Sequence, residues 1–138
     1  MASHHLGVEP QVSEIPRLID WVEACCGGEG LADQVSFRVA LALEEAVTNI
    51  ICHAFAGMPP PHVITVRLDI TARLLTAEIT DNGRPFDPTA APVPDLSLPL
   101  EERPAGGLGI HLMRSMMDRI DYRRSGGKNL LRLEKAPR

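Results

Sequence analysis

Apolar residues recur at helical spacing through the first part of the chain and at strand spacing afterwards. Ile15, Leu18, Ile19 and Val22 follow the three-and-four step of a helix. Ser13 can cap it, Pro16 suits its first turn, and Gly27, Gly28 and Gly30 end it, which predicts a helix from about residue 14 to 26. Ahead of it, Leu6 to Val12 is expected to add a short edge strand, and His4 and His5 to be a loose terminus. A second helix is expected to start at Asp33 as its cap. Its expected core stripe is Phe37, Ala40, Leu41, Val47, Ile51, Ala54 and Phe55, leaving Glu45, Asn49 and Cys52 together on a neighbouring face. Gly57 and Pro59 to Pro61 stop this helix.

From His62 the period becomes two. Ile64, Val66, Leu68 and Ile70 fall on one side, with Val63, Thr65, Arg67 and Asp69 on the other. Leu74 to Thr80 repeats the pattern after a tight connection at Thr71 to Arg73, predicting two antiparallel strands with one face on a helix layer. Asp81 to Pro88, DNGRPFDP, then leads into a proline-rich stretch reaching Arg103 that has no period and is expected to be a lid. GGLGIHLMRSMMDRI, from Gly106, opens a third helix whose expected apolar face is Leu108, Leu112, Met116 and Met113. Ile120 to Arg124 and Asn129 to Glu134 are expected to form a closing hairpin across Ser125 to Lys128.

Composition narrows the class without naming a function. A chain of 138 residues, 44% hydrophobic and 23% charged, fits one ordinary globular domain. A net charge of -4 argues against nonspecific nucleic-acid binding, which depends on a basic surface. No apolar run approaches the roughly 20 residues that span a bilayer, and the start lacks a leader pattern, so the expected location is the cytoplasm. Cys25, Cys26 and Cys52 are odd in number and lack metal-ligand spacing; reduced, structural thiols are expected.

Candidate chemistry lies in four places. Glu45 and Asn49 stand one helical turn apart; Asp81 and Gly83 follow a strand; the lid comes next; Gly107 and Gly109 open a helix. Each alone is an ordinary surface, turn or capping pattern. Their order is more telling. EEAVTNIICHAF, DNGRPF and GGLGIHLM resemble the N, G1 and G2 boxes of the Bergerat-fold (GHKL) ATPases across nearly the whole chain. EAVTN, DNGRPFDP, GLGIHLM and the Met117–Asp118 pair are similar to the small anti-sigma-factor serine kinases of bacterial switch systems, the SpoIIAB and RsbW type.

That resemblance implies an α+β fold, a two-layer α/β sandwich whose mostly antiparallel mixed sheet is covered on one face by three helices. It implies a single ATPase domain over residues 1–138, with N box 41–55, G1 box 81–87, lid about 88–105 and G2 box 106–112. ATP and Mg²⁺ are the implied cofactors. Glu45 would be the general base, and Asn49 would bind nucleotide and hold the metal. Asp81 would accept a hydrogen bond from the adenine amino group, and Gly83 would leave room for the base. Gly107, Leu108 and Gly109 would bind phosphates at a helix N-terminus. Implied partners are a STAS-domain anti-anti-sigma factor, a sigma factor and a second copy of the chain, with Arg17 and Arg103 as candidate partner contacts. No direct nucleic-acid or membrane partner is implied. The chain departs from the family in offering Lys128 and Asn129 where a Thr is common, and in doubling the glycine at Gly106 and Gly107. The alternative function is a noncatalytic, nucleotide-responsive anti-sigma or switch-binding module.

Overall fold

Five strands and three helices carry residues 2–90, Ser97 and 107–138, the part of the chain that the computed structural model describes. In chain order they are β1 (Ala2–Val8), α1 (Ile15–Gly28), α2 (Asp33–Asn49), β2 (Ile64–Ile70), β3 (Leu75–Asp81), α3 (Gly107–Met116), β4 (Arg119–Ser125) and β5 (Lys128–Lys135). The sheet order is β1-β2-β3-β5-β4, and every described pairing is antiparallel. The helices cover one sheet face, giving the expected two-layer α+β sandwich. The period-two pattern explains why: Ile64, Val66, Leu68 and Ile70 are buried, as are Leu75, Ala77 and Ile79 beside them. Thr65 and Arg67 look out from the open face. The last hairpin turns at Gly126 and Gly127, both at positive φ (59° and 75°), as a two-residue turn between twisted strands requires.

Several expectations are corrected. β1 covers Ala2–Val8 rather than Leu6 to Val12, and His4 and His5 belong to it, opposite Leu68 and Arg67. Pro10 gives the reason. It has no N–H to donate to the ladder, so the strand ends before it and the pairing extends in the other direction. α1 runs on through Gly28 and closes at Gly30 (φ +74°), where the Leu31 N–H reaches back to the Cys26 carbonyl at 3.0 Å.

On α2 and the turn after it the buried apolar residues are Val35, Val39, Ala40, Ala42, Leu43, Ala46, Val47, Ile50, Ala54 and Phe55, so Ala40, Val47, Ala54 and Phe55 lie where expected, whereas Phe37 is 62% exposed and Leu41 and Ile51 are only half-buried. Phe37, Leu41, Glu45 and Asn49 are spaced by four, so they form one slowly drifting row. Glu45 in this row turns toward the start of α3, and the drift brings Asn49 over the polar end of the sheet while leaving Phe37 exposed at the other end. On α3 the buried residues are Ile110 and Met113, followed by Met117, while Leu112 and Met116 are half-exposed. The surroundings of the Leu108 side chain lie outside the described residues, as do Gly106, Arg103 and most of the proposed lid. Cys25 and Cys26 are buried and free, and burial pushes both thiols up; Cys52 is free and exposed.

Leu68 sits at the centre of this core with no exposure. Leu68→Ala is expected to lower unfolding free energy by about 2–5 kcal/mol in urea titrations. Thr65→Ala, on the open face of the same strand, should move it by less than about 0.5 kcal/mol.

Candidate nucleotide site

Toward the C-terminal end of β3 the helix-facing side of the sheet passes from an apolar row to a polar one. Ile79, Leu131 and Tyr122 are register partners across β3, β5 and β4, and two residues further on the same face come Asp81, Asn129 and Arg124. α2 crosses above this boundary. Ala46, Asn49 and Ile50 from α2 enclose a small cavity with Asp81, Phe86, Tyr122, Asn129 and Leu131. Asn49 and Asp81, distant in sequence, therefore line one pocket.

The end of α2 is fastened to the loop after β3. Past Asn49 the helix widens into a π-helical turn, Ile50–Ala54, closed by the Phe55 N–H on the Ile50 carbonyl at 3.0 Å, five residues back. This turn lays the His53 ring on Phe86, with centroids 5.2 Å apart and planes 18° from parallel. It also aims the Ala54 carbonyl at the Arg84 N–H, 2.9 Å away. Gly83 is required by that approach: a Cβ there would stand 2.7 Å from the Ala54 oxygen. The crowding at Gly83 thus comes from the turn that follows α2. Asn82 holds the other side, accepting from the Val63 N–H at 2.8 Å and donating to the Pro61 carbonyl at 2.9 Å.

Asp81 is 4% exposed. Its Oδ1 accepts from the Gly83 N–H at 2.8 Å and from Asn129 Nδ2 at 2.9 Å. Burial raises its carboxyl above the ordinary range, opposed by those two donors and by the nearby Arg124 guanidinium. Asn129, read from sequence only as a departure, is a fully buried member of the site. Tyr122 and Arg124 were not singled out from sequence at all. The signal that could have found them was the register of the closing hairpin, which sets Arg124 opposite Asn129.

Glu45 lies one turn before Asn49, half-buried between α2 and the first turn of α3. The Glu45 carboxylate lies against Gly109, in the space a Cβ there would fill, and so reaches the start of α3. Burial, and then the charge of Glu44, push the Glu45 carboxyl up. Gly107 and Leu108 open α3, so their backbone N–H groups belong to the unpaired donors of a helix N-terminus.

Asn49 is 7% exposed and its Nδ2 has no partner among the described residues, so its amide holds a buried polar group that the fold itself does not use. No three His, Cys, Asp or Glu side chains cluster as a metal cage among the described residues. A metal here would take one amide oxygen from the chain and its other ligands from phosphate and water, a donor set that fits Mg²⁺.

Arg17 stands apart from the pocket, bonding the Gly7 carbonyl at 3.1 Å and Glu14 at 2.9 Å, and so ties β1 to α1. A wider surface hollow lies at the other end of the sheet, beside Ala2, Ile70 and Pro137, and among the described residues Glu29 is its single charged side chain. It brings no chemistry together.

Fold and site define a histidine kinase-like ATPase domain: the family model of that description matches residues 8–135, and the chain belongs to this family. Among its relatives is the serine/threonine-protein kinase BtrW of Bordetella bronchiseptica, 35% identical over 82% of this chain and 79% of that protein. The anti-sigma F factor of Caldanaerobacter subterraneus subsp. tengcongensis is 34% identical over 67% of this chain and 64% of its own length. The solved RsbU and RsbW domains of a Mycobacterium tuberculosis protein superpose on 98% of this chain with TM-score 0.69 at 12% identity, the chain spanning 32% of that structure. That likeness concerns the fold. No helix among the described residues is long and apolar enough to cross a membrane.

Proposed function

We propose that this chain is an ATP-dependent protein serine/threonine kinase that acts as an anti-sigma factor and phosphorylates a STAS-type anti-anti-sigma partner in the cytoplasm. The observation that carries the reading is the meeting of α2 with both halves of the site: Glu45 reaches the start of α3 while Asn49 and Asp81 line one cavity. The whole chain, 1–138, acts as one ATPase domain, with boxes at 41–55, 81–87 and 106–112 and a lid at about 88–105. Asp81 receives the 6-amino group of adenine. The N–H groups of Gly107, Leu108 and Gly109 receive phosphate oxygens at the positive end of α3. Asn49 holds Mg²⁺, which offsets the charge of the triphosphate.

Glu45 acts on the partner's serine. As the hydroxyl oxygen bonds to the γ-phosphorus and the bond to the β,γ-bridging oxygen breaks, the hydroxyl proton passes to the Glu45 carboxylate and ADP leaves. A carboxyl raised by burial holds that proton better than an exposed one. Arg17 and Arg103 contact protein partners, a sigma factor is held alternately with the STAS protein, and the kinase works as a homodimer.

Incubating the protein with Mg-ATP labelled at the γ-phosphate and a STAS-domain partner should place the label on a partner serine, and Mg-ATP alone should raise the melting temperature. Absence of both would overturn the reading. Stabilisation by Mg-ATP with no transfer to any cognate partner would leave the noncatalytic, nucleotide-responsive module.

A further inference from the structure

Every hydrogen-bonding position of Asn129 is occupied within the fold. Its Nδ2 donates to Asp81 Oδ1 at 2.9 Å and to the Arg84 carbonyl at 2.8 Å. Its Oδ1 accepts from Tyr122 Oη at 2.5 Å and from Arg124 Nη1 at 3.1 Å. A carboxamide has two donors and two acceptor sites, so Asn129 has nothing left to offer a ligand. Arg124 also donates to the Gly83 carbonyl at 2.6 Å, tying the same loop from its other side. The amide is held against turning over, because flipping would set its NH₂ against the Arg124 guanidinium and its oxygen against the Asp81 carboxylate and the Arg84 carbonyl. One of its donors is therefore fixed on Asp81 and the other on the Arg84 carbonyl.

Asp81 is held equally asymmetrically. Oδ1 takes both donors, from Gly83 and Asn129, and among the described residues no donor reaches Oδ2. We propose that Asn129, locked by Tyr122 and Arg124, is a positioning residue that sets base specificity: it pins one oxygen of Asp81 and leaves the other as an acceptor for the exocyclic amino group of a 6-aminopurine. The departure from the family's common Thr is then a different way of orienting the carboxylate, with a second tie to the Arg84 carbonyl. This inference rests on the nucleotide-binding reading above.

The groups facing Asp81 set the sign of its pH dependence. They are Asn129 from β5, Arg124 and Tyr122 from β4, and the uncharged Ala46, Asn49 and Ile50 from α2 and the turn after it. Asp81 accepts from an amino group best when ionised, so affinity falls as pH drops through its pKa. Removing the Asn129 donor raises that pKa, and the acid loss of binding must begin at higher pH.

The test is equilibrium binding by calorimetry of Mg-ATP and of Mg-purine-riboside triphosphate, which lacks the 6-amino group, to wild type, Asn129→Ala, Asn129→Thr and Tyr122→Phe. Asn129→Ala is expected to weaken ATP binding tenfold or more, to leave the analogue within twofold of wild type, and to move the acid midpoint for ATP upward. Asn129→Thr, which restores one donor, should recover part of the ATP affinity. Tyr122→Phe keeps the ring and removes one of the two donors on Asn129 Oδ1, leaving Arg124 in place, so a loss of a few-fold confined to ATP is expected. Should Asn129→Ala fail to fold, Tyr122→Phe decides alone. Equal losses for both nucleotides, or unchanged ATP binding and pH profile, would overturn this proposal. Absence of ATP binding by wild type would instead overturn the nucleotide-binding reading itself.

Discussion

Replacing Glu45 with glutamine is expected to slow phosphoryl transfer to the partner by about 10²–10⁴-fold, the usual contribution of a positioned general base. ATP affinity should stay within a few-fold of wild type. Glutamine keeps the length and shape that fill the space opposite Gly109, so α2 and α3 remain apposed. What it loses is the ability to take the serine proton. Burial and the neighbouring Glu44 hold the Glu45 carboxyl above its ordinary range. A base must be unprotonated, so the wild-type rate should fall as pH drops through that raised value, above the range of a free glutamate. Glu45→Gln should abolish this acid limb while lowering the whole profile. Single-turnover transfer across pH, with ATP binding measured in parallel, reads both effects. Transfer by the variant within threefold of wild type would remove Glu45 from the chemistry.

The sequence carried the architecture because its apolar period changes with each element. The alternation of Ile64 to Ile70 marks a half-buried strand, and Gly126–Gly127 marks a hairpin turn; neither depends on distant residues. The motif order pointed in the same way to Asn49 and Asp81, which share a cavity, and to Glu45 and Gly109, which touch. Helix phase was less legible. The row Phe37, Leu41, Glu45, Asn49 looks apolar at one end and functional at the other, and only packing against α1 and α3 decides which way it faces. The support of Asp81 was least legible, because it comes from Asn129, Tyr122 and Arg124, whose relation to Asp81 exists only once β3, β5 and β4 are in register. β1 was misplaced because its partner, β2, lies some sixty residues away, and local pattern cannot say which residues it selects.

Asp81→Asn should do more than weaken ATP binding; it should reverse the preference at the 6 position of the purine. Two donors, the Gly83 N–H and Asn129 Nδ2, converge on the site of Oδ1. An asparagine at 81 must therefore place its carbonyl oxygen there and turn its NH₂ to the place of Oδ2. That group would meet the adenine amino group donor to donor. Loss of a hydrogen bond to a charged acceptor is worth about 1.5–3 kcal/mol, or roughly a 10- to 150-fold weaker ATP complex. The same NH₂ suits the 6-oxo group of hypoxanthine, so inosine triphosphate should bind the variant more tightly than ATP does. Thermal shift gives a second reading. Nucleotide at about a thousandfold over Kd stabilises by about 4.1 kcal/mol, and a hundredfold weaker complex at the same concentration by about 1.4 kcal/mol. The variant should melt no lower than wild type without nucleotide at neutral pH, because burial raises the folded-state pKa of Asp81 and the fold prefers it uncharged. For the same reason wild type gains stability as pH falls from the folded value toward the unfolded one, a gain the variant cannot share. Equal stabilisation of wild type and variant by ATP, with inosine triphosphate no better than ATP on the variant, would show that Asp81 does not read the base.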